Sequence, residues 1–389
     1  MACRHCLLIT IISVLILISI GAFAVSNMPI DSQNIQKLPI YDYLTGDKSN
    51  FAIDAEELTV PKVIYEKADL IEDKPHASST HSPALGIATS YYYTEFYENS
   101  PATIEVFVEN RADTAIFVYS YGVELSDGKF MEQRTGYTIK PGEKKRLGFV
   151  CFDIPANVDS MDIKLGFGIL AKTSSDQWYD YGLQFLEEIN LEVMPIMNES
   201  SVDYISNEEP LFTITNDKVD PRSGEVRTLA ASGAMVYPGE YNIYQVCSLF
   251  DHVKNDIKYM TDPRGEDYWA TPDETLMVRA GDCDDSAILL SSLIEAIGGS
   301  TRMYFTDTHA FTTVYIGKDE KARENIDAVK KYYGCVPVYY TTDEYGSWLI
   351  LDTTSGLYAG DLPAGAIPTD DAWVFTNTET VNIIDIIPD

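Results

Sequence analysis

Gly281 and Asp282 break the chain immediately before Cys283, and beyond it Ala287, Ile288, Leu290, Leu293, Ile294 and Ile297 recur at the spacing of one apolar helix face. The string Ala280-Gly281-Asp282-Cys283-Asp284-Asp285-Ser286-Ala287 therefore predicts a buried-face helix with a thiol in its first turn. A thiol there meets the positive end of the helix dipole and backbone N–H groups without intrahelical partners, which favours the thiolate. Asp284 and Asp285 complement the same dipole, yet their charges oppose a thiolate. Elsewhere a cysteine at a helix start is ordinarily a small buried hydrophobe, so the rest of the chain must decide between packing and chemistry.

A nucleophilic cysteine needs a base. Of the five histidines, His5 flanks an N-terminal apolar segment, and His76 and His81 lie in a Ser/Pro-rich stretch. His252 falls beside the apolar face of a helix that carries Ile243, Val246, Cys247, Phe250, Val253 and Ile257. His309 precedes Ala310-Phe311-Thr312-Thr313-Val314-Tyr315-Ile316, a β-branched and aromatic run that reads as a strand, and it is the better candidate. Trp348-Leu349-Ile350-Leu351-Asp352 reads as a second apolar strand, ending in a carboxylate that can fix an imidazole's tautomer. The alternative for Asp352 is a side-chain cap on the Thr353-Thr354-Ser355 turn.

Tyr268-Trp269-Ala270-Thr271-Pro272, Gly281-Asp282-Cys283-Asp284-Asp285, Thr308-His309-Ala310-Phe311 and Leu351-Asp352, taken together over about residues 205 to 360, resemble the transglutaminase-like superfamily in its bacterial and archaeal branch. The resemblance implies an α+β papain-like fold, with Cys283 as nucleophile, His309 as general base and acid, and Asp352 as its orienter. It also implies an upstream side chain that helps the Cys283 N–H stabilise an oxyanion. Trp269 and Tyr268 are the candidates, and no spacing rule separates them; a packing role for Trp269 is the plainer alternative.

Sixty acidic residues against 28 basic ones give a formal charge of −32, with no basic cluster, which argues against binding nucleic acid through its phosphates. No cofactor is indicated. Calcium is compatible with so acidic a chain, but Asp284-Asp285 and Asp370-Asp371 do not reproduce an EF-hand spacing, and no metal ligand set is expected. Oligomeric state is not readable.

Arg4 precedes an uncharged run from Leu7 to Val25 that closes on Ala22-Phe23-Ala24, a small-x-small pattern. A cleaved signal peptide and a retained membrane anchor both fit residues 1–25, and either puts the remainder outside the cytoplasm, secreted or held at the membrane by that segment alone. Four cysteines lie beyond it: Cys151, Cys247, Cys283 and Cys335. With Cys283 kept free, the other three cannot all pair within one chain; Cys247 with Cys335 is the pair available inside the catalytic region.

At 389 residues and 45% hydrophobic content, about two domains are expected. Residues 26–85 have no sustained period and read as a linker or stalk. Residues 86–198 alternate in short runs such as Thr103 to Asn110, Lys145 to Val150 and Met161 to Gly168, which predict an all-β immunoglobulin-like sandwich acting as a spacer or binding module. Residues 205–389 read as the transglutaminase-like domain and, with a break near residue 200, are expected to fold alone. Lys318 to Tyr332 reads as a charged surface helix, and the tail from Gly360 as a segment wrapping the domain.

The resemblance implies an exported cysteine enzyme acting on amide bonds of a protein or peptide through a thioester. Water as acceptor makes it a peptidase or amidase, an amine makes it a transglutaminase, and hydrolysis is preferred because no dedicated amine tunnel is marked. A non-catalytic surface protein gripping peptides or glycans on the same fold is the competing expectation.

Overall fold

The computed structural model describes residues 35–38, 52–64, 71–195, 203–206, 209–262, 268–368, 373–376, 378 and 380–387. The apolar segment of residues 1–25 and Asp370-Asp371 lie outside them. Among the described residues no helix is long and apolar enough to cross a membrane.

Two sheets make the first unit. One has three strands in the order β2 (Ile87–Tyr93), β4 (Pro101–Asn110), β7 (Lys144–Asp153); the other has five, in the order β3 (Phe96–Tyr97), β9 (Trp178–Met194), β8 (Ser160–Lys172), β5 (Ile116–Leu125), β6 (Phe130–Ile139). Pairing is antiparallel except between β3 and β9. Alternation places Ile163, Leu165, Phe167 and Ile169 of β8 against Ile104, Val106 and Val108 of β4 in one core shared by both sheets. The unit is all-β, as the alternating runs predicted. Strand β6 was not legible in the sequence, because Glu132, Gln133 and Arg134 break its pattern where the strand faces outward.

The second unit is α+β. A six-stranded sheet runs in the order β10 (Asp203–Ser206), β19 (Thr380–Asp385), β13 (Thr301–Phe305), β14 (Ala310–Gly317), β16 (Ser347–Leu351), β15 (Tyr340–Thr342). Helices α2 (Gly224–Ala234), α3 (Ile243–Asp256), α5 (Cys283–Ala296) and α6 (Glu320–Tyr333) bury their apolar faces in a common core. An Asn242–Gln245 capping box starts α3. The C-terminal tail does not merely wrap the domain: β19 is an inner strand beside β13. Nor is α6 a surface insertion. Ala322, Ile326, Val329 and Tyr333 recur along one stripe and are buried, while its charged residues take the opposite face. The remaining elements are α1 (Glu209–Lys218), α4 (Pro272–Val278), the parallel pair β11 (Lys258–Tyr259) and β12 (Ala280–Gly281), and a small sheet of β1 (Ile35–Leu38), β18 (Trp373–Thr376) and β17 (Ala366–Pro368).

Buried Arg302 on β13 donates to Asp385 of β19 at 2.6 Å and to Asp343, and lies 3.7 Å from the Trp348 ring centre. A buried pair of this kind repays its desolvation only with good geometry, and it fixes which strands lie side by side more than it adds stability.

Much of the stretch read as a linker is pinned to both units. The Ile53 N–H donates to Asp385 Oδ2 at 2.9 Å, the Lys62 N–H to the Tyr241 carbonyl at 2.9 Å, and the Glu72 N–H to the Gly136 carbonyl at 2.9 Å. Val63 and Ile64 pack on the α+β core. Isolated bridges of this sort have no periodicity, so composition alone suggested a free segment.

The units also share a core. Phe149 of β7 belongs to the cluster built by α3 and α6, edge-on to Tyr333 at 5.8 Å and to Tyr358 at 5.3 Å between ring centres. Beside it Cys151 is disulfide-bonded to Cys335, 184 residues away, with Cα atoms 5.9 Å apart. Cys335 thus pairs across the units and not with Cys247, which is a buried thiol.

Candidate active site

The cysteine is delivered by a sequence of short stops and starts. Thr271 and Glu274 form a capping box with Pro272 in the first turn, which begins α4, and Arg279 at φ 56° ends it. Ala280 and Gly281 then pair with Lys258 and Tyr259. Gly281 is required by packing: a Cβ there would lie 2.6 Å from the Asp285 Cβ. Asp282 follows in extended conformation as the N-cap, its carbonyl accepts from the Ser286 N–H at 3.1 Å, and Cys283 is the first residue of α5. The thiol is partly exposed and packs against the apolar cluster that holds Ala287, Met303 and Ala310.

Strands β14 and β16 are antiparallel neighbours, with Thr312 opposite Leu351, so His309 just before one and Asp352 just after the other meet at the same sheet edge. His309 Nε2 lies 2.7 Å from Asp352 Oδ2. The Cys283 side chain is near enough to add to the rise in the imidazole's pKa. Helix α5 is locked to β14 in this register because Thr312 Oγ1 donates to the Ala287 carbonyl at 2.9 Å and lies 3.0 Å from Ser291 Oγ.

Asp352 is buried and heavily solvated by protein. Oδ1 accepts from the Thr354 N–H, the Thr354 hydroxyl and the Ser355 N–H at 3.0, 2.8 and 3.1 Å, while Oδ2 accepts from the Ala364 N–H at 3.1 Å, the Ser355 hydroxyl and His309. The turn-capping and imidazole-holding geometries therefore coexist on one carboxylate. Burial would push this acid up, but the His309 charge and these donors hold it well below the usual carboxylate range. Burial would likewise strip His309 of its proton; the Asp352 charge and hydrogen bond, with the Cys283 side chain, outweigh it and push the imidazole up to about 10. An imidazolium at neutral pH follows.

The other candidates lie elsewhere. His252 pairs with Asp256 at 3.2 Å on the half-exposed side of α3. The Tyr268 hydroxyl is spent on Glu274 Oε1 at 2.9 Å, at the start of α4, and its ring lies under the Lys218 ammonium. Trp269 stacks flat on Phe305 at 5.2 Å, at the border of the apolar cluster that Cys283 also touches. Neither side chain has a hydrogen bond to Cys283, His309 or Asp352 among the described residues. Tyr259 was not singled out by the sequence. Burial raises its phenol, and the next causes are the charges of Cys283, Asp282, Asp284 and Asp352, which places the hydroxyl beside the site. No sequence signal marked it, because its pairing with Gly281 joins separate segments.

Ligand atoms of Asp282, Cys283 and Asp284 lie within 4.8 Å of one another. Burial, then its hydrogen bond with Asp282 and the neighbouring negative charges, push the Asp284 carboxyl up to about 9.

An α+β unit that presents a helix-start cysteine to a carboxylate-held histidine on its sheet defines a class of cysteine-centred folds. The family model for the transglutaminase-like superfamily matches residues 231–353, a span that contains Cys283, His309 and Asp352. The chain thus carries a transglutaminase-like domain. Among solved structures, the putative ApaA protein from Bordetella pertussis is similar at 10% identity over 28% of this chain and 94% of that one, with a TM-score of 0.21. The CARDB domain of a Pyrococcus furiosus protein in complex with di-metal ions is similar at 13% identity over 32% of this chain and all of that one, TM-score 0.21. A putative protease from Parabacteroides distasonis is similar at 10% identity over 58% of this chain and 65% of that one, TM-score 0.23. Similarity at this level bears on neither fold nor chemistry. No curated protein matches the chain significantly.

Proposed function

We propose that the protein is an exported cysteine enzyme of papain-like design that cleaves amide bonds of a protein or peptide through a thioester. The observation that carries this reading is the imidazole of His309, held at Nε2 by a buried carboxylate and turned toward a thiol at a helix start. Cys283 Sγ attacks the amide carbon, and the carbonyl oxygen takes the electron pair as an oxyanion. The backbone N–H at the start of α5 faces that charge, with the Tyr259 hydroxyl as the candidate side-chain donor. His309 gives its proton to the leaving nitrogen as the C–N bond breaks, leaving a thioester. Water then loses a proton to His309, adds to the thioester, and releases the acid and the thiolate.

Hydrolysis is preferred over transfer to an amine because Cys283 is open to solvent. Export is supported by the apolar segment of residues 1–25 and by the disulfide between the units, since such bonds persist in oxidising compartments. In this reading the all-β unit is immunoglobulin-like in the broad sense of two facing sheets.

Mass spectrometry of the purified chain with peptide donors, with and without a primary amine, tests the proposal. A mass increment on Cys283 followed by free acid supports hydrolysis, and an amine adduct would make the protein a transglutaminase. Binding of the peptides without any acyl-enzyme or product would favour the non-catalytic binding protein.

A further inference from the structure

Lys254, in the last turn of α3, is a partly buried cation, and the mechanism does not use it. Its ammonium donates to the carbonyl of Gly356. Gly356 lies at the centre of the turn that holds the imidazole's partner: its N–H donates to the Asp352 carbonyl at 3.1 Å, and a Cβ on it would come within 2.7 Å of that oxygen. The turn continues into Leu357, whose N–H donates to Asp361 Oδ2 at 2.8 Å, and into Tyr358.

The far side of this turn is covered by one face of the all-β unit. Thr103, whose hydroxyl donates to Cys151 Sγ at 3.8 Å, and Glu105, two residues on, share a face of β4. Glu105 is paired with Arg146 of β7, whose guanidinium lies 4.9 Å from the Phe149 ring centre, and Phe149 meets Tyr358. Burial pulls the Lys254 ammonium toward neutrality, and the largest opposing influence is the carboxylate of Glu105, ahead of Asp361, Asp352 and Asp251. The lysine's charge is thus maintained in good part from the other unit.

We infer that Lys254 is a positioning residue that holds the Asp352 turn in place against His309 through its bond to Gly356, with the all-β unit packed on the far side of the turn at Tyr358. The all-β unit is then a working part of the site and not a spacer. The inference rests on the Cys283–His309–Asp352 reading for its effect on turnover, but the placement of Asp352 can be measured without it.

The test compares the full chain with K254M, K254R and E105Q by two readouts, the NMR titration of the His309 imidazole and the rate of Cys283 alkylation by iodoacetamide. Removing a positive charge near the pair would by itself raise the His309 pKa. A fall in K254M therefore reports displacement of Asp352, with alkylation expected to drop about tenfold. K254R should restore both readouts, since a guanidinium can still donate to Gly356, and E105Q, whose lost negative charge lowers the His309 titration by itself, is read by alkylation alone. If K254M does not fold, K254Q takes its place. An unchanged or raised His309 titration in the folded variant overturns the inference. A lowered titration in a chain that never cleaves an amide would leave the inference standing and sink the proposed function.

Discussion

Phe149 of the all-β unit lies edge-on to Tyr358, which follows the Asp352 turn, with 5.3 Å between ring centres. The ring is fully buried in a core otherwise built by helices of the α+β unit. Phe149→Ala should therefore destabilise the whole chain by about 3–5 kcal/mol, the usual cost of such a cavity. For the same reason residues 205–389 expressed alone should bind hydrophobic dyes and melt well below the full chain. Denaturant unfolding of both proteins checks this, and an equally stable fragment would show that the shared core is dispensable.

Cys283 should alkylate faster than Cys247, which is buried, in the folded protein. Cys283→Ala should abolish amide-directed activity, and His309→Ala should lower both turnover and alkylation. Asp352→Ala should act in the same direction, with losses of up to about 10⁴-fold, as for other orienting carboxylates. Peptide mapping after brief iodoacetamide treatment reads the first claim. Equal labelling of both thiols would remove the case for an activated nucleophile.

The imidazole of His309 should stay protonated through neutral pH and titrate near 10. Asp352→Asn should bring the titration below the ordinary histidine value, because burial then acts without the opposing charge. The sign for stability follows from both partners. The raised histidine contributes fully below about pH 6.5 and its contribution fades as pH rises toward 10; the lowered Asp352 contributes above about pH 3.8 and fades as pH falls. The pair should thus stabilise most between about pH 4 and 6.5, which a pH series of urea midpoints for wild type and H309Q can establish.

Asp284 predicts a slope opposite to that of Asp352. Its carboxyl keeps a proton up to about 9 when folded but only to about 3.8 when unfolded, so wild-type stability should decline as pH rises between those values. Asp284→Asn keeps an acceptor for the Asp285 N–H, 2.9 Å away, and has no proton to lose. It should gain stability over wild type, by a margin that widens from pH 4 to pH 9. A margin independent of pH would mean that Asp284 is ionised in the folded protein.

Reduction of the Cys151–Cys335 bond, which closes a separation of 184 residues, removes up to about 5 kcal/mol in the chain-entropy account. Thermal melts of wild type and C335S should therefore differ in oxidising buffer and converge in the presence of a reductant. No difference in oxidising buffer would mean that the bond adds nothing to the shared core.

The site's local parts were legible because each was written in consecutive residues. A glycine and an aspartate before Cys283 set a helix start, and β-branched runs beside His309 and Asp352 set two strands that end at one edge. What was illegible depended on contacts between distant segments. The partner of Cys335, the place of Phe149 and the pinning of residues 52–64 leave no periodic trace, and Tyr259 becomes notable only when β11 is seen beside Gly281. The oxyanion candidates Tyr268 and Trp269 were chosen by nearness in sequence, and in space the first faces Glu274 and the second faces Phe305.

Strand β19 pairs with β13 on one side and β10 on the other. During synthesis the thiol-bearing helix and the strand beside His309 therefore leave the ribosome well before the segment that covers β13. Until Thr380–Asp385 arrives, β13 is an open edge able to recruit foreign strands. Completion of the frame around the thiol is thus a late event, and a chain shortened before Thr380 should be prone to aggregate.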